Sequence, residues 1–234
     1  MPYHYSHARK QFIADLISIK TALNDAYSPK CSSGVVREYA LCSAIVLTSA
    51  KVETYLETLV ADWGKAVLGA NLKTDALHRH IRAFLLNDPS IEKIYKRLGF
   101  DGNEGTFIPA LALQLGSGPF KFSKDGENIP PFPIARVYSD VKYPSPKNLR
   151  KLFRRLGIDP IFPRLNAIAK RDVESLLTSF NDTRTEMAHQ GMPIGMSVGD
   201  IRARIKEVTL VVGYVDRLFY SHVCKTTGAV CWVA

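Results

Sequence analysis

Cysteine is scarce in this chain, and no two cysteines stand close enough in sequence to form a CxxC pair. The four cysteines are Cys31, Cys42, Cys224 and Cys231. Structural zinc sites and disulfide frameworks normally need closely spaced or numerous cysteines. We therefore expect reduced thiols in a reducing compartment, with Cys42 buried because it lies inside an apolar helical pattern.

Long apolar runs are also lacking. The most apolar run covers residues 39–50 and is bounded by charged residues on both sides. A helix needs about 20 apolar residues to cross a bilayer, so this run is too short. The N-terminal residues MPYHYSHARKQF lack the apolar core of a signal peptide. The sequence predicts a soluble, cytoplasmic protein with no membrane segment.

Acidic residues are outnumbered: 31 Lys and Arg oppose 22 Asp and Glu, which gives a formal net charge of +9. Residues 142–171 hold nine of the basic residues and one acidic residue, Asp159. A localised basic stretch is typical of a surface that binds a polyanion such as RNA. An ordinary solvated basic helix face is the alternative. The predicted RNA-binding residues are Lys147, Arg150, Lys151, Arg154 and Arg155.

Apolar residues recur with helical spacing over most of the chain, which predicts a mostly α fold. We expect helices over residues 11–24, 35–68, 73–98, 146–156, 172–189 and 198–222. The 73–98 segment is expected to break near residues 87–89, with Ser90 as an N-cap. Ser145 and Pro146 form an N-cap pair, and Gly157 stands where the helix should end.

Residues 99–146 differ in composition from the rest, with six glycines and seven prolines. We interpret this segment as an irregular insertion in a single domain that covers residues 1–234. Short strands are predicted at 120–123 and 134–138. The insertion is interpreted as a substrate-facing loop, a lid or a spacer, since long irregular loops are usually functional or disordered.

The helix predicted at 172–189 carries an unusual arginine. With about 100° per residue, Val173, Leu177, Phe180 and Met187 form one apolar stripe, and Arg184 falls in its middle. Such an arginine must be paired, or the stripe must open onto a cleft or an interface. His189 follows at the Gly-terminated end of the helix, and Asn181 lies one turn before Arg184.

This pair of residue types suits phosphate chemistry. Guanidinium binds a phosphate through two parallel hydrogen bonds, and histidine exchanges protons near neutral pH. Arg217 and His222 repeat the spacing in the last helix without the polar surroundings, so they serve as an internal control. His78 and His80 are more easily explained as surface residues than as metal ligands, and no metal site or cofactor is predicted.

The run from Asn181 to Gly191, with its Arg-x4-His-x-Gly pattern, resembles the HEPN superfamily of helical domains. The early helix at 46–56 resembles the second helix of that family, in which Glu53 takes the place of a frequent acidic residue. Residues 145–159 are similar to a connector in ribonuclease-like members. Thr185 stands where many members have Asn, Asp or His, and Gly191 replaces a tyrosine that marks one regulated group of toxins.

The resemblance implies an antiparallel helical bundle and a metal-independent endoribonuclease of a prokaryotic toxin or antiphage defence system. In that reaction, the ribose 2′-OH attacks phosphorus and leaves a 2′,3′-cyclic phosphate. Arg184 would stabilise charge on the phosphate and His189 would transfer a proton, with Asn181, Asp182 and Glu53 in support. It also implies a homodimer with a composite cleft, and an antitoxin or regulatory protein as partner.

Two alternatives follow from the same residues. In the first, the chain is a catalytically silent HEPN domain that binds RNA, a nucleotide or a protein. In the second, it is an unrelated helical protein in which Arg184 pairs with an acid such as Glu53 and His189 ends a helix. The hypothesis of an unrelated helical protein predicts that Arg184 lies against a carboxylate. Both HEPN hypotheses predict that Arg184 and His189 open to one cavity.

Overall fold

The computed structural model describes residues 2–87, 89–102, 104–114, 118–191 and 196–234. Within these ranges the fold is mostly α and contains no β-strand. None of their helices is both long and apolar enough to cross a membrane. The helices are α1 His7–Ala26, α2 Gly34–Gly69, α3 Arg79–Leu86, α4 Pro89–Asp101, α5 Glu104–Gln114, α6 Gly118–Lys121, α7 Ala135–Tyr138, α8 Pro146–Arg155, α9 Ile161–Ala169, α10 Val173–Gln190 and α11 Val198–Lys225.

The long helices α1, α2, α10 and α11 supply most of the core. Each buries a stripe of apolar side chains at helical spacing, as the sequence predicts. Ser6 and Ser33 cap the first two helices by accepting backbone N–H groups. Helices α1 and α11 run antiparallel, because Ser6 meets Asp216 at one end and Asn24 meets Arg202 at the other.

A buried carboxylate fastens the N-terminal segment to α11. Asp216 is fully buried and accepts hydrogen bonds from Tyr3 Oη at 2.5 Å, from Tyr55 Oη at 3.3 Å and from the backbone and hydroxyl of Ser6. Burial, together with this carboxylate, raises the pKa of Tyr3 and of Tyr55. The network holds the start of α1 against the middle of α11.

The expected irregular insertion is largely ordered and in part helical. Residues 104–114 form α5 despite an internal proline, Pro109, and the helix has no buried residue. The two predicted strands are wrong, because α6 ends at residue 121 before a turn and α7 covers 135–138. Buried Phe122, Phe132 and Val137 anchor the later part of the segment to the body. The Gly and Pro content therefore reflects short helices and turns.

The start and end residues of the shorter helices agree in most places with the prediction from the sequence. Ser145 caps α8 and Pro146 opens it, as predicted. Gly157 follows α8 with a φ of +92°, the left-handed region that glycine favours. Helix α4 begins at Pro89, so Ser90 lies inside it and is not its N-cap. Cys42 is half-buried, less than predicted, and burial together with nearby Glu38 raises the pKa of its thiol.

Gly157 also makes room for a group of histidines. A Cβ atom at this position would lie 2.3 Å from the ring of His78, so no other residue fits without movement. The His78 ring lies 5.9 Å from that of His222, between centroids. Burial, together with the positive charges of His78, Arg164 and Lys225, lowers the pKa of His222 to about 4. His222 is thus kept neutral near pH 7.

Candidate active site around Arg184

Helix α10 begins and ends where the sequence predicts. Asp172 caps it by accepting from the backbone N–H groups of Glu174 at 3.1 Å and Ser175 at 3.2 Å. Gly191 ends it with a φ of +82°. Its apolar stripe is buried, so Arg184 projects from the side of the helix that packs on the core.

Arg184 is half-buried, and no charged partner for it is found among the described residues. Its Nε atom is buried and makes no hydrogen bond, and no carboxylate of the described residues lies within 4.0 Å of its guanidinium. The guanidinium carbon lies 5.6 Å from the ring centroid of Tyr143, within the range of a cation–π contact. The interpretation in which Arg184 pairs with Glu53 is therefore not supported.

The connector before α8 lies against α10 at the same point. Asn181 is 8% exposed, and its Nδ2 donates to the carbonyl of Pro144 at 2.9 Å. Its Oδ1 is buried and accepts no hydrogen bond. Arg184 and Asn181 thus present one unused donor and one unused acceptor, a turn apart, beside Tyr143. Buried polar atoms are rarely left without partners, and exceptions are enriched where a ligand or a strained arrangement accounts for them.

His189 is exposed near the end of α10, and no hydrogen bond or ion pair joins its side chain to another described residue. Five residues separate it from Arg184, which on a regular helix means about 7.5 Å along the axis and about 140° around it. Within one chain, the two side chains therefore do not point to one cavity. A site that uses both needs a surface supplied by another molecule.

The other supporting residues are not joined to this site. Asp182 lies about 160° from Arg184 around the helix, given about 100° per residue. There it lines a shallow depression of about 380 Å³ together with Asp172 and Glu174. Glu53 is half-buried on α2, and no hydrogen bond or ion pair with Arg184 or His189 is found for it in the described chain.

The basic face predicted on α8 is largely neutralised within the chain. Arg150 pairs with Glu174, Arg154 with Asp159, and both Lys151 and Arg155 with Asp140. The hydrogen bonds from Arg155 hold the pKa of the Asp140 carboxyl far below its usual range.

Arg155 is the most constrained of these side chains, with 10% exposure and a further bond to the carbonyl of Val137 at 2.7 Å. Lys147 is exposed, and no ion pair is found for it in the described residues. The prediction that these five residues bind RNA stays untested, but the structure gives four of them an intramolecular role.

No family model, curated protein or solved structure matches the chain. The resemblance to the HEPN superfamily therefore stays a prediction from the sequence. The described residues contain no group of three or more His, Cys, Asp or Glu side chains arranged to hold a metal ion.

Sequence reasoning missed two parts of the site. Tyr143 and the Pro144 carbonyl come from the connector, some 40 residues before the helix that they contact. The only local signal in the sequence was the Ser145 N-cap, which predicted that the connector ends where α8 begins. Which side chains of the connector lie near Arg184 depends on tertiary packing.

Proposed function

We propose that this chain is a HEPN-type endoribonuclease in which Arg184 and His189 act on the RNA phosphate. The observation that supports this most is the state of Arg184. It is half-buried, it lacks a carboxylate within 4.0 Å among the described residues, and its Nε is buried without a partner. A buried Nε without a hydrogen-bond partner is costly to the fold, which favours a role for this side chain in binding an anion.

The proposed chemistry needs no group beyond RNA and these side chains. The ribose 2′-oxygen attacks the adjacent phosphorus, the bond from phosphorus to the 5′-oxygen breaks, and a 2′,3′-cyclic phosphate and a 5′-hydroxyl remain. Arg184 stabilises the charge that develops on the non-bridging oxygens. His189, which is exposed, transfers a proton to the leaving oxygen or from the attacking one.

The active form proposed is a homodimer with a composite cleft, because Arg184 and His189 diverge within one chain. An uncharged face of α2 suits such an interface: Val36, Tyr39 and Leu47 are 50%, 71% and 49% exposed. Large exposed apolar patches mark interaction surfaces. A Cβ atom on Gly191 would lie 3.6 Å from Glu38 Oε1, so the second turn of α2 lies beside the end of α10.

The direct test is cleavage of a labelled RNA of mixed sequence in EDTA. Wild-type protein is expected to give products that end in 2′,3′-cyclic phosphate, and Arg184→Ala and His189→Ala are each expected to lose about 10²–10³ in rate. Arg217→Ala is the matched control, because Arg217 has the same spacing to His222 but is exposed on α11. Equal rates in all four proteins would contradict the proposal.

The dimer is tested separately by sedimentation of wild-type protein and Leu47→Glu. A shift from dimer to monomer together with loss of cleavage is expected, because a charge in an apolar interface is not tolerated. Monomeric wild-type protein that cleaves RNA would contradict the composite site. A role in prokaryotic toxin or antiphage defence, and control by an antitoxin or regulatory protein, are proposals that follow from the resemblance.

A catalytically silent domain that binds RNA, a nucleotide or a protein is the second candidate. The observation that favours it is the divergence of Arg184 and His189 within one chain. RNA binding by wild-type protein without any cleavage, weakened by Arg184→Ala and unchanged by His189→Ala, is the result that this candidate predicts.

A further inference from the structure

A concave basic surface lies between the end of α1 and the start of α11. The depression has a volume of about 310 Å³ and is lined by Lys20, Leu23, Asn24, Arg202, Ile205 and Lys206. Leu23 and Ile205 are only 1% exposed, so they form a closed floor. The walls consist of the two lysines, the arginine and the asparagine, all of which are exposed. We call this surface the α1–α11 depression.

The charge of the α1–α11 depression is of one sign. Three cationic side chains line it and no acidic residue does. Within the described part of the chain, Lys20 and Lys206 form no ion pair. Arg202 donates from Nη2 to Asn24 Oδ1 at 2.7 Å, a neutral partner that orients the guanidinium and leaves its charge unbalanced. These features suit an anion with several acceptor oxygens.

The cations of α8 and those of the α1–α11 depression differ in whether they are already paired with carboxylates, and this determines which of the two can bind a polyanion. The α8 cations are matched by Asp140, Asp159 and Glu174, so a polyanion would have to break existing ion pairs there. In the α1–α11 depression no such pair needs to be broken. Binding of a phosphate by a cationic side chain is favourable because it releases counterions from the RNA. Binding is most favourable where no protein carboxylate already neutralises the side chain.

The α1–α11 depression also lies at the same end of the bundle as His189. Asn24 is near the end of α1, and α2 begins at Gly34, a short connection later. Glu38, in the second turn of α2, lies beside Gly191 at the end of α10. A flexible strand that occupies the depression can therefore extend toward the end of α10 along one end of the molecule.

We propose that the α1–α11 depression binds backbone phosphates of single-stranded RNA and so positions the strand for the Arg184 and His189 site. This inference rests on the proposed function for its substrate, but it concerns binding and not cleavage. The chemistry recognised is the phosphate group, which a free nucleotide also carries. The strand is favoured because Lys20, Arg202 and Lys206 line one depression and can contact successive phosphates of one backbone.

The test measures binding without cleavage. A fluorescently labelled single-stranded RNA with 2′-O-methyl groups lacks the attacking hydroxyl, and its anisotropy gives the affinity over a range of salt concentrations. Lys20→Gln with Lys206→Gln should weaken binding about tenfold or more at low salt. It should also make the slope of log affinity against log salt less negative by about 1.4, or about 0.7 for each lost phosphate contact.

Lys10→Gln with Lys65→Gln is the matched control, because it removes two positive charges from exposed positions on α1 and α2 that do not line the depression. It should leave affinity nearly unchanged. Equal weakening in both pairs would show a non-specific charge effect and overturn the proposal, as would unchanged affinity in the Lys20 and Lys206 variant. Displacement of the RNA by a mononucleotide at equal phosphate concentration would also overturn it, in favour of a nucleotide site.

The outcomes for this surface and for the nuclease proposal can be told apart. Wild-type protein that binds the methylated RNA through Lys20 and Lys206 but cleaves no RNA would contradict the nuclease proposal alone. Wild-type protein that cleaves RNA, with affinity unchanged in the Lys20 and Lys206 variant, would contradict the α1–α11 assignment alone. Thermal unfolding of both double variants checks that the fold is unaffected, as expected for exposed positions.

Discussion

Replacement of Arg184 by methionine should leave the protein as stable as wild type or make it more stable. Methionine fills a similar volume but carries no charge and no N–H donor. The loss is the cation–π contact with Tyr143, about 0.5–1 kcal/mol. The gain is relief from the buried, unpartnered Nε, about 1–3 kcal/mol. The net effect on the free energy of unfolding is therefore expected between about 0 and +2.5 kcal/mol.

Arg155→Met provides the opposite case in the same fold. Arg155 is 10% exposed, pairs through two nitrogens with Asp140 at 2.7 and 2.8 Å, and donates to the Val137 carbonyl. Asp140 is 48% exposed, so solvent screening reduces the value of the ion pair. We expect a loss of about 2–3 kcal/mol, mostly from the unsatisfied carbonyl and the disrupted packing.

The assay is urea unfolding of the three proteins, followed by far-UV circular dichroism at low protein concentration. The two substitutions should change the free energy of unfolding with opposite signs, or at least by amounts that differ by about 2 kcal/mol or more. A loss of 2 kcal/mol or more in Arg184→Met, equal to that in Arg155→Met, would show that Arg184 has a structural partner. The functional interpretation of Arg184 would then be refuted.

Two further predictions concern the histidine group. Gly157→Ala should destabilise the fold by about 2–5 kcal/mol in thermal unfolding, because left-handed backbone strain adds to a 2.3 Å clash with His78. Gly228→Ala has a similar φ but no Cβ contact shorter than 4.0 Å, so it should cost only about 1–2 kcal/mol in the same experiment. Equal losses would show that the clash is relieved. His222 has a folded-state pKa of about 4, below its unfolded value, so its neutral form stabilises the fold above pH 7 and that contribution is lost as pH falls from about 7 to about 4. His222→Gln should flatten unfolding free energy across this range, and an unchanged pH profile would contradict the assignment.

Much of the fold could be predicted because its signals are local. The apolar stripe of α10, its Asp172 cap and its Gly191 end are all encoded within 20 consecutive residues, and the structure confirms the helix. The predicted strands failed because apolar residues at 120–123 and 134–138 are too short a sample to distinguish a strand from a helical turn. In that segment, burial against the body decides the conformation.

The properties of the charged residues could not be predicted in the same way. The stripe correctly placed Arg184 among apolar side chains, but its contact with Tyr143 depends on how a distant connector packs. The α8 face looked free because its acidic partners Asp140 and Glu174 lie outside the helix, 11 residues before Lys151 and 24 after Arg150. The α1–α11 depression joins residues about 180 positions apart, so no sequence window contains it.

The proposed role of Arg184 is best tested by the rate at which Arg184→Met cleaves RNA, measured in EDTA beside wild type after both are shown to be equally folded. Wild type is expected to leave 2′,3′-cyclic phosphate ends, and the variant is expected to be slower by about 10²–10³ despite undiminished stability. Loss of activity could then not be attributed to unfolding. Cleavage by the variant at the wild-type rate would contradict the role of Arg184 in catalysis. No cleavage of any RNA by wild type would contradict the endoribonuclease proposal.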